Sequence, residues 1–157
     1  MCRGTDTVTH SSAMLNVLSI VGFLVMGSAA LDLLYTGNLL SSSPLVVLLQ
    51  VAAIVLLVWA RITFGRRSFH FTAGSTEGGL VTRGPYRYIR HPIYASICLF
   101  VWASVVAHWS EGTALCGVLV LGGAVVRMLC EETLVAAKYP EYQEYARITC
   151  RMVPYVF

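Results

Sequence analysis

The chain has 157 residues, about one domain by length, with 57% hydrophobic and only 12% charged residues, well below the roughly 25% charged of soluble domains. Together with a mean hydropathy of +0.70, this excludes an ordinary soluble domain and makes lipid the main solvent. The net charge of +3 is modest and the arginines sit beside apolar segments, which argues against a nucleic-acid partner.

Residues 1–13 are polar and read as a short frayed end. The first apolar run, 14–35, would reach ~33 Å as a helix, enough to cross the ~30 Å hydrocarbon core. It is too long for a signal-peptide core and lacks a small-residue cleavage site, so no cleavable leader is expected. Its one charge, Asp32, reads either as an interfacial carboxylate held by neighbours or as an intramembrane acid with a function. After an uncharged turn, Pro44 follows three serines as the first residue of a second span, 44–64. Gln50 within it reads as an interhelical hydrogen-bonding residue.

Residues 65–91 are polar, glycine-rich and without apolar periodicity. Arg61, Arg66, Arg67, Arg83, Arg87 and Arg90 lie on this connection or at its edge, which makes it cytoplasmic by the positive-inside rule. A connection this long that carries tyrosines reads as functional. Two further apolar runs, 92–108 and 113–130, are joined by a four-residue turn and form an antiparallel hairpin. The hairpin returns His91 and Glu131 to one end. Gly117, Gly122 and Gly123 allow close helix approach, and Trp109 is placed as an interfacial anchor. Beyond Cys130, charged residues alternate with tyrosines, and 141–150 reads as a short amphipathic interfacial helix. The expected fold is therefore all-α, a single membrane-embedded domain over 1–157 with about four spans and a C-terminal interfacial helix. Five cysteines at positions 2, 98, 116, 130 and 150 show no CxxC pair and no histidine at ligand spacing, so no metal is expected. Those inside apolar runs read as small hydrophobes.

Three groups converge on one face: the glycine-rich loop, the His91-Pro92 helix start, and Arg127 with Glu131 and Glu132. Pro92 at the first helical position leaves unpaired N–H groups that suit an anion, while the two carboxylates suit an ammonium or a diol. Arg127, one turn inside Glu131, can pair with it at i+4. Snorkelling charges at a helix end would give the same pattern, so spacing alone yields a polar pocket and no reaction.

The motif Arg90-His-Pro-Ile-Tyr94 followed one hairpin later by Glu131-Glu132 resembles the isoprenylcysteine carboxyl methyltransferase family of integral-membrane enzymes, with phospholipid methyltransferases as relatives. The approach Leu80-Val-Thr-Arg-Gly-Pro-Tyr86 and the ending from Tyr139 through Pro154 match the family's flanks. The resemblance implies methyl transfer from S-adenosylmethionine, bound near the cytosolic face, to a lipophilic acceptor entering from the bilayer. It implies cofactor contacts at Gly78, Gly79, Leu80, Val81, Tyr86, His91, Pro92, Ile93, Tyr94 and Glu131. Gly78 departs from the larger polar residue found in some members and could contribute only backbone. Arg127 is implied as the residue that positions the acceptor for catalysis, with Arg147 a second substrate-binding candidate. A carboxylate such as a prenylcysteine needs no base and is favoured, with an amine or thiol acceptor, or a non-catalytic lipid- or partner-binding subunit, as the alternatives.

Overall fold

The computed structural model describes residues 5–65 and 80–154, with side chains from residue 12 onward. Among them are five α-helices: α1 (Thr5–Tyr35), α2 (Pro44–Phe64), α3 (Pro92–Ala107), α4 (Glu111–Lys138) and α5 (Tyr142–Ile148). The first, second and fourth are long and apolar enough to cross a membrane, and α3 is a shorter apolar helix.

Each helix begins or ends where the sequence supplies a device for it. Pro44 and Pro92 occupy the first turns of α2 and α3, where a missing N–H costs nothing. Ser110 and Thr113 form a reciprocal capping box that starts α4 at Glu111, two residues ahead of the apolar run. At its other end α4 continues past the expected stop at residue 130 to Lys138. Its 28 residues make about 42 Å, longer than the ~30 Å hydrocarbon core, so the polar last turns extend beyond it. The polar N-terminal stretch is likewise helical from Thr5, although hydropathy placed the helix start at residue 14.

Packing order follows from the contacts. α1 lies antiparallel to α4: Arg127 reaches the Ser19 carbonyl, Gly22 meets Gly123, and the Cys116 thiol donates to Asp32 Oδ2 at 3.4 Å. A Cβ on Gly123 would lie 2.6 Å from the Gly22 carbonyl oxygen and 2.5 Å from Met26 Cγ, so only glycine permits this crossing. Gly117 similarly accommodates Val105 and Trp102 of α3, whereas Gly122 meets nothing within 4 Å, contrary to the close approach expected there. α3 packs between α2 and α4. Gln50 donates to the Leu39 carbonyl at 2.9 Å and to Ser104 Oγ at 3.0 Å, the interhelical role its position suggested.

The core runs along helical stripes: Met26, Ala29 and Leu33 of α1, Cys98, Val101 and Val105 of α3, and Cys116, Val120, Ala124 and Met128 of α4. Outward faces of α1 and α2 carry exposed Leu24, Leu31, Leu48, Val55 and Ile62, a surface suited to lipid and not to water. The chain is thus an integral membrane protein built as a helical bundle.

The segment after residue 79 is ordered by its own turn. Gly84 takes φ +60, and a Cβ there would sit 2.7 Å from Thr63 Oγ1, so glycine is required on both counts. Gly84–Arg87 forms a 3-10 turn that buries Pro85 and Tyr86. The chain then pairs in parallel with the C-terminal segment through a bridge between Ile89 and Cys150. Arg90 and His91 donate their backbone N–H groups to the Cys150 and Arg151 carbonyls. The short helix expected over 141–150 is α5, Tyr142–Ile148, docked on the protein with Tyr142 and Tyr145 buried.

Candidate functional site

The hairpin of α3 and α4 brings the two halves of the motif together. His91 Nδ1 lies 3.9 Å from Glu131 Oε2, and His91 Nε2 lies 3.3 Å from Glu132 Oε1, although forty residues of chain separate them. Tyr94, one turn into α3, joins the cluster through its hydroxyl. It donates to Glu131 Oε1 at 2.5 Å and accepts from Arg127 Nε at 2.7 Å. Arg127 Nη2 donates to the same Glu131 oxygen at 3.3 Å.

Arg127 is buried, at 5% exposure, and every face shown for it has a partner. Nη1 donates to the Ser19 carbonyl at 3.2 Å, and the guanidinium lies over the rings of Phe23 and Tyr94, at 5.2 and 5.9 Å. A buried cation without such compensation would cost several kcal/mol. Pairing, carbonyl contact and aromatic faces together hold it in a single orientation. The arrangement goes beyond snorkelling, because the guanidinium turns inward to the bundle.

Glu131 is different. Its Oε1 is fully engaged, whereas among the described residues the contact of Oε2 is His91 Nδ1 at 3.9 Å, too distant for a hydrogen bond, and the side chain is 25% exposed. The site therefore has one locked carboxylate oxygen and one that faces outward. Beside it, the first N–H groups of α3 lack intrahelical acceptors, and His91 supplies no side-chain cap. An ammonium or hydroxyl donor and a carboxylate on one small molecule would find complementary partners here.

Glu132 does structural work beside the site. Its Oε1 accepts from Arg90 Nε at 2.9 Å and its Oε2 from Arg151 Nε at 3.1 Å. Arg90 Nη1 also donates to the Ala146 carbonyl at 2.9 Å and to the Thr149 carbonyl. This network ties α4, the start of α3 and the C-terminal segment into one platform. Tyr145 completes it by donating to the Tyr86 carbonyl at 2.6 Å. Burial pushes the Tyr145 hydroxyl up to about 12, with nearby Arg90 acting the other way. The Tyr86 ring packs tilted against Phe64 with centroids 5.4 Å apart, and burial raises its hydroxyl, with Tyr145 adding to the effect.

Of the residues singled out from sequence, His91, Pro92, Ile93, Tyr94, Arg127 and Glu131 gather at one end of the hairpin. Tyr86 is buried in the adjoining turn, and Leu80 and Val81 lie half-buried just ahead of it. Gly78 and Gly79 lie outside the described residues. Arg147 is exposed on α5 and is not brought to the cluster. Sequence reading did not single out Ser19 and Phe23 of α1 or the Arg151 contact to Glu132. For Ser19 and Phe23 the available signal was their spacing, one helical turn apart on a face interrupted by Gly22.

A family model described as phospholipid methyltransferase matches residues 43–142, more than half of the chain. Among curated proteins, the chain is similar to the nickel-cobalt-cadmium resistance protein NccN of Alcaligenes xylosoxydans xylosoxydans and the cobalt-zinc-cadmium resistance protein CzcN of Cupriavidus metallidurans. Each is 32% identical over 87 residues, which is 54% of this chain. The match spans only 40% and 39% of those relatives' own lengths. No solved structure matches the chain.

Proposed function

The chain belongs to the phospholipid methyltransferase family, and from that premise we propose that it transfers a methyl group from S-adenosylmethionine to a lipophilic acceptor reached from the bilayer. The observation that carries this reading is Glu131, with Oε1 locked by Tyr94 and Arg127 and Oε2 left open beside the uncapped start of α3. That pair of features fits an amino-acid end group and a ribose: N–H groups of Ile93 and Tyr94 for the carboxylate, Glu131 for an ammonium or a diol. Tyr86, Leu80, Val81, Gly78 and Gly79 would line the approach, and His91 with Pro92 would shape the helix start.

When bound, S-adenosylmethionine supplies an electrophilic methyl on a sulfonium, so the protein's work is orientation and exclusion of water. Arg127 is held rigidly one turn deeper in the bundle, where an acceptor arriving from lipid would meet it. A carboxylate acceptor, such as a prenylcysteine, is ionised at neutral pH and needs only such a cation to position it.

One observation favours a second reading. The Arg127 charge is already matched by Glu131 at 3.3 Å, which leaves the site suited also to a cationic amine head group. An amine must lose a proton before attack, and His91 would be the group to take it. The metals in the relatives' names are said of those proteins. By the positive-inside rule, the arginines flanking residues 65–91 would put this end of the bundle on the cytoplasmic side.

Incubating the purified protein with methyl-labelled S-adenosylmethionine and either N-acetyl-S-farnesylcysteine or phosphatidylethanolamine tests this reading. Base-labile label on the first identifies a carboxyl ester, and stable label on the second an amine. Label on neither acceptor counts against both.

A further inference from the structure

α1 lies outside the residues that match the family model, yet it forms one wall of the site. Its register against α4 is fixed by Ser19 at Arg127, Gly22 at Gly123 and Asp32 at Cys116. Continuing that antiparallel register one turn places Asn16 level with Cys130 and Glu131. Asn16, Ser19 and Phe23 thus follow i, i+3, i+7 spacing along the face that meets Arg127.

Two polar atoms on this face are buried without any hydrogen-bond partner: Asn16 Oδ1 and Ser19 Oγ. Ser19 has no exposed surface at all. A helical serine or threonine ordinarily satisfies itself by bonding back to a carbonyl three or four residues earlier. Ser28, Thr63, Ser96 and Thr133 all do so here, donating to Val25, Trp59, Ile93 and Leu129. Ser19 does not, although its own carbonyl is engaged by Arg127. Leaving such a group unpaired in a low-dielectric interior forfeits its hydration without replacement, and two of them lie one turn apart beside the site. The simplest release of that cost is a ligand that pairs with them.

We propose that Asn16 and Ser19 of α1 position the methyl acceptor by accepting hydrogen bonds from an N–H on its head group, next to Arg127. An amide carbonyl can only accept, which sets the polarity of the ligand group. An N–H of this kind occurs as the amide beside the carboxylate of an N-acylated prenylcysteine, or as the ammonium of an aminolipid. The inference rests on the methyltransferase reading above and deepens it by assigning acceptor recognition to a helix outside the family-matched region.

The test uses the full-length protein in detergent micelles and the variants Ser19→Ala and Asn16→Leu. S-adenosylhomocysteine affinity, melting temperature, and KM and kcat for N-acetyl-S-farnesylcysteine and for phosphatidylethanolamine are measured. Whichever acceptor is methylated identifies the source of the N–H. For that acceptor each variant is expected to raise KM about tenfold, with kcat changed by less than about threefold and S-adenosylhomocysteine affinity unchanged. Because Ser19→Ala removes an unpaired buried hydroxyl, its melting temperature should hold or rise, which a structural role would not combine with a raised KM. Unchanged KM in both variants, or a KM rise seen only with lost S-adenosylhomocysteine affinity, overturns the inference alone. A wild-type protein that binds S-adenosylhomocysteine but methylates neither acceptor overturns the inference together with both acceptor readings. Failure of the wild type to bind S-adenosylhomocysteine overturns the methyltransferase reading and this inference with it.

Discussion

Arg127 sits one turn inside Glu131, and Tyr94 fills the space between them with a hydroxyl bonded to both. The three act as one unit, so truncating one member leaves the others with unpaired polar groups. Arg127→Ala is expected to lower turnover roughly a hundredfold, the scale of losing a preorganised positioning charge, while S-adenosylhomocysteine affinity falls far less because Tyr94 still holds Glu131 Oε1. Kinetics alongside equilibrium binding checks this; loss of cofactor affinity in step with turnover would remove Arg127 from the acceptor side. Sequence alone exposed the i, i+4 pair of Arg127 and Glu131 and the distant His91, because fixed helical spacing and a short hairpin turn leave little choice of geometry. It could not show that Tyr94 bridges the pair or that Ser19 and Phe23 close over it. The Tyr94 bridge depends on how α3 packs on α4, and the Ser19 and Phe23 contacts on the register of α1 against α4 at the glycine crossing.

At the scale of elements, the crossing at Gly22 and Gly123 carries the sharpest consequence. Gly123→Ala forces a methyl against the α1 backbone and should destabilise by about 1–3 kcal/mol, whereas Gly122→Ala meets open space and should be neutral or slightly stabilising. Melting temperatures of the two variants in one detergent decide it; equal values would mean that the crossing is not tight. The C-terminal segment makes a second prediction through pH. Tyr145 is buried with its hydroxyl pushed up to about 12 from the usual value near 10. In the unfolded chain it ionises first, so its contribution to stability is fully present below about pH 10 and is lost as pH rises toward 12. Thermal stability should therefore fall across that interval, and Tyr145→Phe should flatten the fall. Hydropathy and length made the long spans legible, and Pro44 and Pro92 marked two starts correctly. The ends were less legible: α1 begins at Thr5 and α4 runs to Lys138, because polar turns continue a helix once tertiary contacts supply partners. Glu131 and Glu132 do not oppose a helix end as they would at residue 130. The helix goes on, and Arg127, Arg90 and Arg151 neutralise them.

For the whole molecule, the bundle gives each region a separate task. Apolar outer faces of α1 and α2 meet lipid, α3 and α4 form the hairpin that assembles the site, and the C-terminal segment clamps the 80–91 chain through Arg90 and Tyr145. On the proposed reading, an acceptor dissolved in the bilayer would meet Arg127 and a water-soluble cofactor would meet Glu131 at the polar end. The account depends most on that polar end being a cofactor site. Isothermal titration of S-adenosylhomocysteine into the purified protein in detergent tests this most directly. The account predicts saturable one-to-one binding that Glu131→Gln weakens by about tenfold or more, the scale of losing a charged hydrogen bond. No detectable heat at millimolar ligand, or equal affinity in Glu131→Gln, would contradict it.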